Sequence, residues 1–310
     1  MPVNVLFAAS PDRWTTYETP LKRAFSEAAL DVNLATDIAP EQVDYIVYAP
    51  NSDLQDFTPY TRTRAVLNLW AGVEGIVDNP TLTQPLARMV DNGLTRGMVE
   101  WVTGHTLRHH LNTDLHVLNQ DGVWRKEVPP LACDRPVTIL GLGTLGQACG
   151  EALANLGFPV TGWSRSQKDV SGITCLSGET GLQKALSTAQ ILILLLPHTP
   201  DTENVLNAET LSQMPKGAVI INPGRGPLID DEALLAALDA EQIGHATLDV
   251  FRTEPLPASH PYWAHPRVTV TPHIASETRP ASASRVIAEN IRRGEAGRPF
   301  LHLVNRDLGY

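Results

Sequence analysis

The chain has 310 residues, 43% of them hydrophobic and 19% charged, with a formal net charge of −10 at pH 7. That length suits about two domains, and the composition excludes a disordered chain. No basic stripe offsets the negative charge, so a nucleic-acid partner is not expected, although a few local arginines suffice for a small anion.

Residues 3–8 already read as a strand, so no secretory leader is expected, and the longest apolar run, 191–197, is too short to span a membrane. The default compartment is the cytoplasm. Cys133, Cys149 and Cys175 are odd in number and form no C-x-x-C, which predicts buried, inert thiols. Residues 43–49 and 65–70 read as further buried strands, and Leu21, Phe25 and Ala28 recur at helical spacing. A single long helical pattern over 95–118 suits a connection between domains. On it, His105 and His109 have metal-ligand spacing, but no Glu follows His105 and no third ligand is in sight. The expectation is therefore a polar helix face that includes His110, with no metal. Trp124-Arg125 follows, assigned either to a pocket or to surface packing near a hinge.

Residues 137–140 then form a strand that runs into Gly141-Leu142-Gly143-Thr144-Leu145-Gly146, with a helix pattern after it. Gly141 permits the tight turn, Gly143 lets a pyrophosphate approach the backbone, and Gly146 brings helix close to strand. Thr144, Leu145 and Gly146 open the helix whose N–H groups and positive end face the phosphates. Strand and helix patterns alternate from here. Strands are predicted at 159–163, 191–195, 218–221, 245–250 and 268–270, and helices at 231–240 and 279–293. Near-continuous apolar strands alternating with helices imply a parallel sheet covered on both faces. The last helix follows the cofactor unit and is expected to return to the first domain, which leaves a cleft for the chemistry.

About twenty residues beyond the glycines, an NAD-preferring fold carries an acid for the ribose hydroxyls. Here the second strand ends in Ser164-Arg165-Ser166, with no acid. Arg165 can pair with a 2′-phosphate, and Ser164 and Ser166 can donate to it, so the expected cofactor is NADP, with NADPH preferred over NADH.

Three later strand ends carry Arg225 in Asn222-Pro223-Gly224-Arg225-Gly226, Glu254 in Asp249 to Leu256, and His273 in Thr271-Pro272-His273-Ile274-Ala275. Singly, the arginine reads as a surface charge and the histidine as satisfied by a carbonyl. Together at one sheet edge they suit reduction of a 2-keto acid. Arg225 forks onto the carboxylate and polarises the ketone. His273 supplies the proton, and Glu254 raises its pKa and orients its ring.

These motifs, with Leu196-Pro197-His198-Thr199-Pro200-Asp201-Thr202 and the closing Leu303 to Tyr310, resemble the D-isomer-specific 2-hydroxyacid dehydrogenases, most closely their short glyoxylate/hydroxypyruvate reductase A branch. The resemblance spans nearly the whole chain. It implies an α/β fold: a Rossmann-type doubly wound parallel sheet, residues 101–276, and a smaller flavodoxin-like substrate domain, residues 1–100 and 277–310. It also implies Arg225, Glu254 and His273 as the catalytic set, Asp249 as the holder of the nicotinamide amide, and Pro197 at the cofactor with His198 at the cleft edge. Ala71, Gly72 and Val73 match the loop whose N–H groups bind the substrate carboxylate. Trp70 stands there in place of a small residue, so it either narrows the pocket or packs in the core. Met98, near the start of the interdomain helix, lines the pocket or packs in the core. The implied activity is NADPH-dependent reduction of glyoxylate, hydroxypyruvate or a similar short 2-keto acid to the D-hydroxy acid, by a homodimer joined through the cofactor domain. Glu254 in place of glutamine argues against the related formate dehydrogenases, and the length leaves no room for the regulatory domain of phosphoglycerate dehydrogenases. A nucleotide-sensing binding protein on the same fold, or a reductase of a larger 2-keto acid, is the alternative.

Overall fold

Strands that alternate between two apolar faces can lie only inside a sheet covered on both sides, and this chain builds two such sheets. The computed structural model describes residues 2–309. Its contacts separate one unit, which runs to Leu94 and resumes at Glu277, from a second, Thr95–Ser276. The junctions read from sequence were 100/101 and 276/277.

In the first unit β1 (Val3–Ala8), β2 (Val32–Ala35), β3 (Tyr45–Tyr48), β4 (Ala65–Asn68) and β5 (Leu86–Ala87) pair parallel in the order 2-1-3-4-5. This is the flavodoxin-like order. Val5, Phe7, Tyr45, Val47, Ala65 and Leu67 enter one core cluster, while Leu6, Ala8, Ile46, Tyr48 and Val66 enter the opposite one. Helix α1 (Pro11–Glu27) opens on a proline, which is pre-set for the first turn, and buries Tyr17, Leu21, Ala24 and Phe25 at helical spacing. The last helix, Pro280–Glu295, adds Ala283, Ile287 and Ile291 to the same cluster, which is how the C-terminal segment joins this unit.

The second unit begins on α2 (Asn92–His110) and α3 (Thr113–Leu118). Then come β6 (Val137–Leu140), α4 (Thr144–Asn155), β7 (Val160–Ser164), β8 (Ile173–Ser177), α5 (Gly178–Thr188), β9 (Ile191–Leu194), α6 (Ala208–Ser212), β10 (Ala218–Asn222), α7 (Asp231–Asp239), β11 (Ile243–Leu248) and β12 (Val268–Val270). Its all-parallel sheet runs 12-11-10-9-6-7-8. Counted from β6, that is the doubly wound order 3-2-1-4-5-6 with one strand added. The winding reverses between β6 and β9, and in folds of this kind ligands bind outside the carboxyl ends of the strands at such a point.

The structure corrects three expectations. The pattern over 95–118 is two helices: Asn112 takes φ 57°, a left-handed value that asparagine tolerates, and the chain breaks there. The histidines of α2 do not form a solvated face. His109 and His110 are 9% and 6% exposed. His109 Nε2 lies 2.8 Å from Thr247 Oγ1, its ring is 4.8 Å from that of His245, and His110 stands edge-on to Phe158. Among the described residues no group of His, Cys, Asp or Glu is arranged to hold a metal. Of the cysteines only Cys149 is buried, its thiol pushed up to about 12 by that burial; Cys133 is exposed and Cys175 partly so. No helix among the described residues is long and apolar enough to cross a membrane.

Candidate active site

The glycine-rich turn follows β6 at the winding reversal. Gly141 has φ 109°, which a residue with a side chain rarely adopts. A Cβ on Gly146 would sit 1.8 Å from the Gly141 carbonyl oxygen, so α4 packs against the turn at a distance only glycine allows. A Cβ on Gly143 would meet nothing within 4 Å, so this glycine is not required by protein packing. The open side of Gly143 and the first turn of α4, Thr144, Leu145 and Gly146, which no side chain caps, form a cradle fit for a phosphate.

At the end of β7, Arg165 and Ser166 are exposed and no carboxylate is present before Asp169. Ser164 differs from them: it is 8% exposed, and its hydroxyl donates to the Ser166 carbonyl at 2.8 Å. It shapes the turn, so its hydroxyl is donated to a backbone carbonyl rather than to the expected 2′-phosphate. Pro197 and His198 are partly buried beyond β9. Thr202 closes their loop, donating to the Pro197 carbonyl at 2.7 Å and accepting from Thr199 N at 2.8 Å.

Arg225, Glu254 and His273 follow β10, β11 and β12, three adjacent strands. Their loops hold one another. Buried Asn222 donates to the Arg225 carbonyl at 2.9 Å and accepts from Gly224 N at 3.1 Å. Gly226 lies so close to Phe251 that a Cβ would meet its backbone carbon at 2.0 Å. Arg225 Nη1 donates to the Gly224 carbonyl at 2.7 Å. Glu254 accepts from Phe251 N at 2.8 Å through Oε1, while Oε2 lies 2.7 Å from His273 Nδ1. A carboxylate can only accept, so Nδ1 carries the proton and Nε2 is the outward nitrogen. The two side chains are 53% and 34% exposed, and a pair that exposed adds little to stability. Its effect is to orient the ring.

Asp249, fully buried, organises the histidine loop. Its carboxylate accepts from Thr271 Oγ1 at 2.5 Å, Ile274 N at 2.9 Å and Ala275 N at 2.8 Å, and its carbonyl accepts from His273 N at 2.8 Å. Three of about four lone-pair sites are thus taken within the protein, leaving capacity for one further donor. These contacts hold His273 at φ 53°, a left-handed value that residues other than glycine adopt only uncommonly.

In the first unit Trp70 is 40% exposed and not part of the core. The N–H groups of Ala71, Gly72 and Val73 donate to no acceptor among the described residues. Met98, on α2, is 6% exposed and packs with Val102 and Ala275, which favours the core reading of that residue. Trp124 is 93% exposed, and Arg125 pairs with both oxygens of Asp121 at 2.6 Å. Sequence reasoning missed Asn68, Asn222 and Thr202, small polar residues that set loop shape. The only signal for the two asparagines was an amide side chain ending an otherwise apolar strand.

Residues 105–275, more than half of the chain, match the family described as D-isomer specific 2-hydroxyacid dehydrogenase, NAD binding domain. The chain belongs to this family. Among curated members it is 39% identical over 279 residues to glyoxylate/hydroxypyruvate reductase A of Yersinia enterocolitica, covering 87% of this chain and 88% of that one. Among solved dehydrogenases, one from Xanthobacter autotrophicus Py2 in complex with NADPH and MES is 37% identical over the full length of both chains, with a TM-score of 0.94. The NADPH-dependent glyoxylate/hydroxypyruvate reductase of Sinorhizobium meliloti, in complex with NADP and sulfate, is 34% identical. It covers 100% of this chain and 99% of its own, with a TM-score of 0.87.

Proposed function

We propose that this 2-hydroxyacid dehydrogenase uses NADPH to reduce short 2-keto acids, glyoxylate and hydroxypyruvate among them, to D-2-hydroxy acids. The observation that carries the reading is the His273–Glu254 pair at 2.7 Å beside the Arg225 loop at one sheet edge. NADPH, when bound, supplies the hydride. Gly141, Gly143, Thr144, Leu145 and Gly146 hold its pyrophosphate, Arg165 and Ser166 its 2′-phosphate, with Ser164 shaping their turn. Pro197 and Asp249 serve the cofactor side of the same edge. Arg225 forks onto the substrate carboxylate and polarises the keto oxygen. His273 Nε2 delivers the proton to that oxygen as its negative charge develops, and Glu254 balances the charge of the donating ring. The first unit is the substrate domain: the N–H groups of Ala71, Gly72 and Val73 take the carboxylate, with Trp70 beside them and Met98 supporting from the core.

Loss of NADPH absorbance on mixing with glyoxylate tests the activity, and no oxidation with any short 2-keto acid sinks the proposal. Arg165→Ala should weaken NADPH use roughly 10- to 100-fold with little effect on NADH; an unchanged cofactor ratio removes Arg165 from the site. We also assign the chain to a cytoplasmic homodimer joined through the cofactor unit. Val117, Leu118, Val123, Trp124, Val128 and Leu131 are 60–93% exposed within fifteen residues, more apolar surface than a lone soluble chain usually shows in one segment. Light scattering that returns a single chain's mass at micromolar concentration would refute the dimer.

A further inference from the structure

Resting on the substrate-binding role proposed for the 71–73 loop, we infer that Asn68 is the positioning residue that aims the loop's N–H groups at the substrate carboxylate. Asn68 ends β4 and is 1% exposed. One side-chain nitrogen, Nδ2, donates to two carbonyls of the loop, that of Trp70 at 3.0 Å and that of Gly72 at 3.0 Å. Met89 N, beyond β5, donates to the Trp70 carbonyl as well, also at 3.0 Å.

The consequence follows from peptide geometry. In a planar trans peptide the N–H of one residue points opposite to the C=O of the residue before it. Drawing the carbonyls of Trp70 and Gly72 toward Asn68 therefore turns the N–H groups of Ala71 and Val73 away from it, both to the same side. These are two of the three loop donors that no acceptor among the described residues takes, although Val73 is itself 2% exposed and orphan N–H groups in buried segments are rare. Two donors on the side away from Asn68 can meet the two oxygens of a carboxylate. A single buried amide thus fixes a pair of donors before any ligand arrives, and the carboxylate meets an arranged site.

The loop's own sequence does not impose this. Trp70 stands where the family resemblance implies a small residue, and Leu69 and Val73, both buried, anchor the ends of the loop. The hydrogen bonds of Asn68 and Met89 bear on peptide orientation directly, and of these only Asn68's come from a side chain.

The test uses the full-length enzyme with NADPH, glyoxylate as substrate and oxalate, a planar dicarboxylate that cannot accept hydride, as competitor. Asn68→Leu keeps the branching and heavy-atom count of the side chain and removes the donor. KM for glyoxylate and Ki for oxalate should each rise roughly 10- to 100-fold, the cost of misaligned hydrogen bonds to a charged group, with kcat and NADPH affinity within about twofold of wild type. Asn68→Ser, which keeps one donor, should fall between the two. If Asn68→Leu does not fold, Asn68→Ser carries the test with a raised KM at unchanged kcat. Unchanged KM in a folded variant overturns the inference, and so does a joint fall in kcat, NADPH affinity and thermal stability, which marks a structural role only. If the wild-type enzyme oxidises NADPH with no keto acid, the activity reading fails alone. The Asn68 inference is then decided by calorimetry of oxalate with NADP⁺ bound: weaker binding by the variant supports it, and equal binding overturns it.

Discussion

In the proposed mechanism His273 carries the chemistry, and it carries very little of the stability. Its side chain is half exposed and its one charged partner is Glu254, so replacing it should leave the fold intact. His273→Ala is expected to lower kcat by roughly 10²–10⁴, the usual loss for a general acid, with NADPH affinity by fluorescence titration unchanged. An equal loss of cofactor affinity would place the residue in cofactor binding instead. Sequence reasoning reached this residue because a histidine, a glutamate and an arginine on successive strand ends have few joint explanations. It did not reach Asp249's clamp on the histidine loop. That clamp depends on three donors converging on one buried carboxylate, a fact of three-dimensional placement with no spacing rule to announce it.

At the scale of elements, the β6–α4 turn separates what the fold needs from what the ligand needs. Gly146 meets Gly141 at contact that excludes a methyl, whereas Gly143 faces open space. Gly146→Ala should therefore lower the melting temperature, since forcing an atom into a filled site costs about 1–3 kcal/mol, and should weaken NADPH binding with it. Gly143→Ala should leave the melting temperature unchanged and weaken NADPH binding alone, because its Cβ would project into the open space that the proposed site gives to the phosphates. Thermal melts and titrations of the two variants check this, and a stability loss at Gly143 would contradict it. The central strands were legible because both faces are apolar, as in Ile191–Leu194 and Ala218–Asn222. The edge strands Val32–Ala35 and Ile173–Ser177, and the two-residue Leu86–Ala87, were not singled out. The edge pair are only partly buried, and a two-residue strand has no period to read. The break at Asn112 was hidden for a related reason: helical spacing resumes at Thr113, so the pattern runs through a residue whose backbone does not follow it.

Over the whole molecule, two desolvated histidines should contribute to the response to acid. Desolvation, with the neighbouring His245 and Arg108 charges, depresses His109 to about 3, and desolvation with Arg108 depresses His245 to about 4. Both folded values lie below the unfolded value of about 6.5, so on acidification the unfolded chain takes up these protons first. The contribution to stability is complete above about pH 6.5 and is lost as pH falls through about 4. At about 1.4 kcal/mol per unit, the loss amounts to several kcal/mol. Urea melts at pH 7.5, 6 and 5 should show falling midpoints, and His109→Gln, which retains a polar partner for Thr247 but does not titrate, should flatten the trend. A flat wild-type profile would contradict the assignment. The left-handed backbone at His273 has a different consequence. Here folding favours glycine while the proposed proton donor must be an imidazole, so the two demands on this position oppose each other. His273→Gly should melt above His273→Ala by the equivalent of about 1 kcal/mol, reversing the order found at ordinary positions, though both proteins would be inactive. A stabilised scaffold of this family therefore has one obvious substitution that its makers must decline.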